Sequence, residues 1–211
     1  MSITVACVLR SGGEYGPQHV YAMRRMLNEH LPEHTFTCLS DVAALNGVQR
    51  PLRHDWPGWW AKMELCRPDI AGPLLFLDLD MVVVGDLAPL VADTSRSIVL
   101  RDLYRGRRNR KAVQSCLMLL TEADRAAVWA AWSKDREGWM RRKRSDQDVY
   151  EAVLKDRAAF WQDTHPGAVV GYKTDLARGR KPVPEGARIV AFHGRPRPWN
   201  SGKAWAVEPF L

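Results

Sequence analysis

The run Leu74-Leu-Phe-Leu-Asp-Leu-Asp-Met-Val-Val-Val84 constrains this chain more than any other segment. Four apolar residues lead into Asp78-Leu79-Asp80, and four more follow. Ionised carboxylates are costly among apolar groups unless a cation or hydrogen bonds compensate them. A short apolar run of this kind reads as a buried strand, so the two acids stand where an interior strand meets something charged. Alternate residues of a strand face the same side, which would aim both carboxylates at one object. Hard oxygen donors suit Mg2+ or Mn2+, ions that commonly arrive bound to a diphosphate. The plainer reading is structural, because such acids also cap helices and hold turns.

The rest of the chain gives this strand a context. Strand-like runs at 3–9, 35–40, 48–52, 97–100, 115–120, 168–170 and 187–192 are interspersed with helical patterns at 19–30, 62–66, 122–132 and 146–154. Val20, Met23, Met26 and Leu27 form one face of the first helix. Thr121 and Ser145 stand where the last two helices need N-caps. Strands alternating with helices predict an α/β fold with a mostly parallel central sheet flanked by helices. At 211 residues the chain fits one domain spanning 1–211. In such sheets ligands bind beyond the carboxyl ends of strands. Asp78 and Asp80 occupy one such end, and Arg10, Ser11, Gly12 and Gly13 follow the first strand in the same way.

Composition narrows the class of ligand. The net charge is +7, with 23 Arg against 8 Lys, and the planar guanidinium fork favours phosphates and carboxylates. That fits an anionic ligand, an anionic acceptor or an acidic membrane surface. The basic runs 101–111 and 141–144 supply much of it and make a basic nucleic-acid-binding protein the alternative reading, but no helix-turn-helix or zinc-ligand spacing accompanies them, and no nucleic-acid partner is expected. Nine Trp, several beside Pro or Gly, fit a sugar-binding cleft or core packing. Cys7, Cys38, Cys66 and Cys116 are spread singly through apolar runs, as expected of buried reduced thiols in a cytoplasmic protein. No signal peptide is expected, and no run approaches the roughly 20 apolar residues of a membrane span. The Arg-rich loops are the candidate peripheral contact with the inner face of a membrane.

Five segments, in order, carry a resemblance. They are Trp60-Ala-Lys-Met-Glu-Leu65, Phe76-Leu-Asp-Leu-Asp-Met-Val-Val-Val84, Gln114-Ser-Cys-Leu-Met-Leu119, Asp146-Gln147 and Phe192-His-Gly-Arg-Pro-Arg-Pro-Trp199. Together they resemble the GT-A fold (Rossmann-like nucleotide-diphospho-sugar) glycosyltransferases of the retaining type grouped with glycogenin and the bacterial lipopolysaccharide galactosyltransferases. The chain departs from that pattern at Arg197, where Lys is usual, and at Cys116, where Gly is usual. It also compresses the spacing after His193 and lacks the Asp-x-Asn pattern after the first strand. Asp78, Asp80 and Val82 fit, in addition, the Asp-x-Asp-x-Thr/Val opening of haloacid-dehalogenase-type phosphatases. That opening sits on a first strand, whereas 77 residues precede Asp78 here.

The resemblance implies a metal-dependent hexosyltransferase that moves a sugar, UDP-hexose being the favoured donor, to a glycan, lipid or protein acceptor with retention. It implies Asp78, Asp80 and His193 as metal ligands. Two carboxylates and one imidazole favour Mn2+ modestly over Mg2+. Lys62 and Arg197 are the implied diphosphate clamps, and Gly194 would allow close backbone approach. Asp78 would also approach the ribose, Arg10 and Ser11 the base, and Trp199 would pack over the site or anchor the tail. Asp146, Gln147 and Gln114 are implied at the transferred sugar.

Overall fold

The computed structural model describes residues 3–43, 45–143 and 145–211. Its strands in chain order are β1 (Ile3–Leu9), β2 (His34–Ser40), β3 (Gln49–Pro51), β4 (Leu74–Leu77), β5 (Met81–Val83), β6 (Ile98–Arg101), β7 (Val113–Leu120), β8 (Ala159–Phe160), β9 (Val169–Gly171) and β10 (Ile189–Ala191). Seven of them form the central sheet in the order β3-β2-β1-β4-β7-β6-β8. Pairing is parallel from β3 through β4 and antiparallel on both sides of β7, and β8 runs parallel to β6. Only β7 therefore runs against the rest, and the expected mostly parallel α/β sheet is present. A second sheet, β5-β10-β9, stands beside it.

The apolar runs become strands because both sheet faces are covered. Leu75 and Leu77 of β4 join one core, with Val20, Met23, Met26 and Leu27 of the helix Pro17–His30. Leu74 and Phe76 of the same strand join the other core, with Trp56, Trp60, Trp132 and Tyr150. The two-residue period of the strand divides one continuous apolar run between two cores. Trp132 is fully buried and stacks on Trp60 at 5.3 Å, with Trp56 edge-on at 5.1 Å. These tryptophans pack the core and do not line a sugar cleft.

Several local expectations are met and others move. Thr121 caps the helix Glu122–Lys134, its Oγ1 accepting from the Asp124 amide at 3.2 Å. Thr121→Ala should cost about 1 kcal/mol and lower Tm by about 2–4 °C in a thermal melt. The helical pattern at 62–66 is the end of a longer 3-10 helix, Gly58–Cys66. The helix Gln147–Leu154 has Asp146 at its N-cap position with no side-chain cap bond, and that carboxylate points elsewhere. The basic run 141–144 ends the helix Arg136–Arg142, and Arg144 lies outside the described residues. All four cysteines are buried and free. Among the described residues no helix is long and apolar enough to cross a membrane.

Candidate active site

The chain passes from β1 to β2 on one side of the sheet and returns to β4 on the other. The carboxyl ends of β1 and β4 thus flank the point where strand order reverses, the place where open α/β sheets hold ligands. A pocket of 540 Å³ opens there. Of the residues singled out from the sequence, Arg10, Ser11, Lys62, Asp78, Asp80, Gln114, Asp146, Gln147, His193, Gly194 and Arg197 all line it.

The Asp pair reaches the pocket by a route that strand periodicity misses. β4 ends at Leu77, and Asp78-Leu79-Asp80 forms a turn into β5 closed by the Met81 amide donating to the Asp78 carbonyl at 3.1 Å. The turn, not side-chain alternation along a strand, brings both carboxylates to one pocket. Each has its own cation. Lys62 Nζ lies 2.9 Å from Asp78 Oδ1 and 3.6 Å from Asp146 Oδ2. Arg197 pairs with Asp80, while its other guanidinium nitrogens reach Glu14 Oε2 at 3.0 and 3.1 Å. The Tyr15 ring lies 5.1 Å from the Arg197 guanidinium carbon, a cation–π contact.

Burial sets the electrostatics. It pushes the pKa of Asp78 up against the pull of Lys62, and the nearby Asp80 charge pushes the same way. Burial raises Asp80 too, against Arg197. Burial works against the Lys62 ammonium, yet Asp146 and Asp78 outweigh it and hold its pKa above the ordinary value. Burial and then Lys173 lower His193 to about 4, so its imidazole is neutral at pH 7. Both of its ring nitrogens are buried without a hydrogen-bond partner among the described residues.

Asp146 is turned away from its helix end and into the pocket, where Ser115 Oγ donates to its Oδ2 at 2.7 Å. Gln114 Oε1 accepts from the Leu103 amide at 3.1 Å, and Gln147 Nε2 donates to Asp102 Oδ2 at 3.3 Å. Both amides therefore tie the pocket to the start of the Arg-rich loop. After β1, Ser11 donates its amide to Asp41 Oδ1 at 2.8 Å and Arg10 pairs with Asp41 Oδ2 at 2.9 Å. Gly194 has φ +68°, and a Cβ there would lie 3.2 Å from Lys173 Nζ. The backbone angle is what favours glycine here, since the lysine end could shift.

Trp199 requires a correction. It does not line the pocket; its ring packs 4.2 Å from His19 and 5.2 Å from Phe210, because the turn Pro198–Asn200 directs it into an aromatic cluster. It backs Tyr15 at 5.8 Å and so supports the pocket from behind. Glu14, Tyr15, Asp41 and Ser115 are the residues that sequence reasoning missed. Asp41 stands directly after β2, and Ser115 lies within the segment Gln114-Ser-Cys-Leu-Met-Leu119 that carries the resemblance.

The donor set fits a divalent cation in kind. Two carboxylates whose ionised form burial disfavours and a neutral imidazole with unpartnered nitrogens face one pocket. Among the described residues no three His, Cys, Asp or Glu side chains are drawn together as a ready metal cluster. Lys62 and Arg197 compensate the acids in this state.

The fold is that seen in solved glycosyltransferases of the GT-A type. The galactosyltransferase LgtC, solved with donor and acceptor sugar analogs, superimposes with a TM-score of 0.69 over 99% of this chain and 94% of its own, at 16% identity. The glycosyltransferase GlyE of Streptococcus pneumoniae TIGR4 matches with a TM-score of 0.68 over 99% of this chain and 63% of its own, at 15% identity. Mouse xyloside xylosyltransferase 1 matches with a TM-score of 0.55 over 93% of this chain and 98% of its own, at 12% identity. No family model and no curated protein sequence matches this chain.

Proposed function

We propose that the chain, as a single domain over 1–211, is a metal-dependent hexosyltransferase that takes a nucleoside-diphosphate sugar, with UDP-hexose as donor, and transfers the sugar to a hydroxyl with retention. The observation that carries this reading is the pair of contacts Lys62–Asp78 and Arg197–Asp80 facing one switch-point pocket. Two cations already poised beside two acids offer a diphosphate–cation ligand its full set of counter-charges. Such a set stabilises the charge that grows on a leaving diphosphate.

In this reading Asp78, Asp80 and His193 hold Mn2+ or Mg2+, which supplies Lewis-acid neutralisation of the leaving group. Lys62 and Arg197 contact the diphosphate, and Gly194 lets the backbone approach it. Arg10 and Ser11 border the nucleoside. Asp146, held by Ser115 and Lys62, and the amides of Gln147 and Gln114 orient the sugar.

Retention has its own support. An inverting displacement needs a base to take the acceptor proton. Among the described residues the four acids lining the pocket are Glu14, Asp78, Asp80 and Asp146, and each is already paired with Arg197, Lys62 or both Lys62 and Ser115. In the ligand-free state no lining carboxylate is uncommitted, and in this reading the acceptor proton passes to the phosphate oxygen that leaves as the sugar–oxygen bond breaks. The new bond then forms on the same face. The anomeric configuration of the product, read by NMR, checks this.

Lys62→Met should lower kcat/KM by about 100-fold, in the range seen when one charge-stabilising donor is removed, with the circular dichroism spectrum unchanged. The test of the activity is release of UDP from UDP-hexoses with and without a chelator. Mn2+-dependent release supports the reading, and release unaffected by chelation overturns the metal's role.

A further inference from the structure

A second concavity lies on the far side of His193. It is a groove of 790 Å³ bordered by Tyr104, Arg105, Arg107, Arg108, Lys173 and Thr174, with no acid among its lining residues. Arg105 is neutralised by Asp102 at 2.9 Å and Glu151 at 2.8 Å. Arg107, Arg108 and Lys173 have no salt bridge among the described residues. Arg50, Arg67, Arg101 and Arg157, by contrast, all pair with acids. Three uncompensated cations around one groove thus form a local positive field.

The groove joins the donor pocket through two contacts. The Tyr104 ring stands edge-on to His193 at 5.1 Å. Lys173 Nζ lies beside Gly194, 3.2 Å from where a Cβ would be. His193 and Gly194 both line the donor pocket. An acceptor reaching the transferred sugar from this side would meet a half-exposed tyrosine ring, which suits a sugar face, and then Arg107 and Arg108, which suit a planar anion. The loop is also held in place. Gln114 and Gln147, from the pocket wall, bond Leu103 and Asp102 at its base. A mobile solvated loop would not need that anchoring from both sides.

We propose that this groove is the acceptor subsite and that it takes a sugar bearing a phosphate or carboxylate group, so that the acceptor is an anionic glycan. This rests on the glycosyltransferase reading and narrows its acceptor.

The experiment titrates the full chain, with Mn2+ and UDP present, with hexose 6-phosphates and hexuronic acids and with their parent hexoses. At least one anionic sugar binds at least tenfold more tightly than its parent, and the binding weakens as salt rises. The double variant Arg107→Gln with Arg108→Gln loses at least tenfold of that affinity while its UDP titration is unchanged. If UDP binds but no anionic sugar outdoes its parent, or the double variant retains the binding, the inference is overturned while the transferase reading stands. Inorganic phosphate binding as tightly as the sugar phosphates also overturns it, in favour of a bare anion site. Association with phosphatidylglycerol vesicles that the double variant loses, without sugar discrimination, overturns it in favour of a membrane surface. If UDP itself does not bind, the transferase reading fails and takes the inference with it.

Discussion

Asp80→Asn abolishes metal-dependent nucleotide binding and lowers sugar transfer by about 1000-fold, or about 4 kcal/mol of transition-state stabilisation. The change is nearly isosteric, yet it removes one of two carboxylates on the turn and with it the charge that a divalent cation would meet. The fold should survive, because burial already disfavours the ionised form of Asp80 and Arg197 keeps Glu14 as a partner. Tm should stay within about 4 °C of the parent, the shift expected for about 1 kcal/mol. His193→Ala should lose the same metal dependence by removing the only imidazole among the described residues of the pocket lining. Binding of UDP with unchanged metal dependence in either variant would remove that residue from the ligand set.

Glu64→Ala has the largest expected effect on stability. The Glu64 carboxylate is fully buried and accepts from the Arg53 amide at 2.8 Å, the His54 amide at 2.7 Å and the Arg67 guanidinium at 2.7 Å. Arg67 is itself only 2% exposed. Truncation leaves two backbone donors unsatisfied and a buried guanidinium short of a partner, a loss of about 3–5 kcal/mol. At about 2–4 °C per kcal/mol for a chain of this size, Tm should fall by about 6–20 °C. Glu64 also fastens the segment after β3 to the 3-10 helix that carries Lys62. Transfer activity should therefore fall even below the melting range. Glu64→Gln, which keeps an acceptor for the amides, should lose clearly less.

The contrast between Asp78 and Glu64 shows what the sequence makes legible. Asp78 interrupts an apolar run, so its cost and hence its purpose can be read locally. The helix face at Val20, Met23, Met26 and Leu27 and the Thr121 cap are legible for the same reason, since their causes lie within one or two turns of chain. Glu64 sits in what reads as an ordinary short helix, and its partners lie 10 and 11 residues back. Glu14 and Arg197 meet across 183 residues, a pairing that no local pattern encodes. The small sheet β5-β10-β9 is hidden similarly, because three-residue strands carry too little periodicity to declare their partners. The motif context of Trp199 points over the site, whereas the aromatic cluster of His19 and Phe210 draws it behind the pocket. The fold was thus more legible than the site. Strand runs announce burial on their own, whereas the pairings of the site are made by the tertiary structure.

The most direct test of the central claim is calorimetric titration of the protein with UDP, with and without Mn2+. Binding should require Mn2+ and be lost in Asp80→Asn. Equal binding with and without the metal, or none in either case, would contradict it.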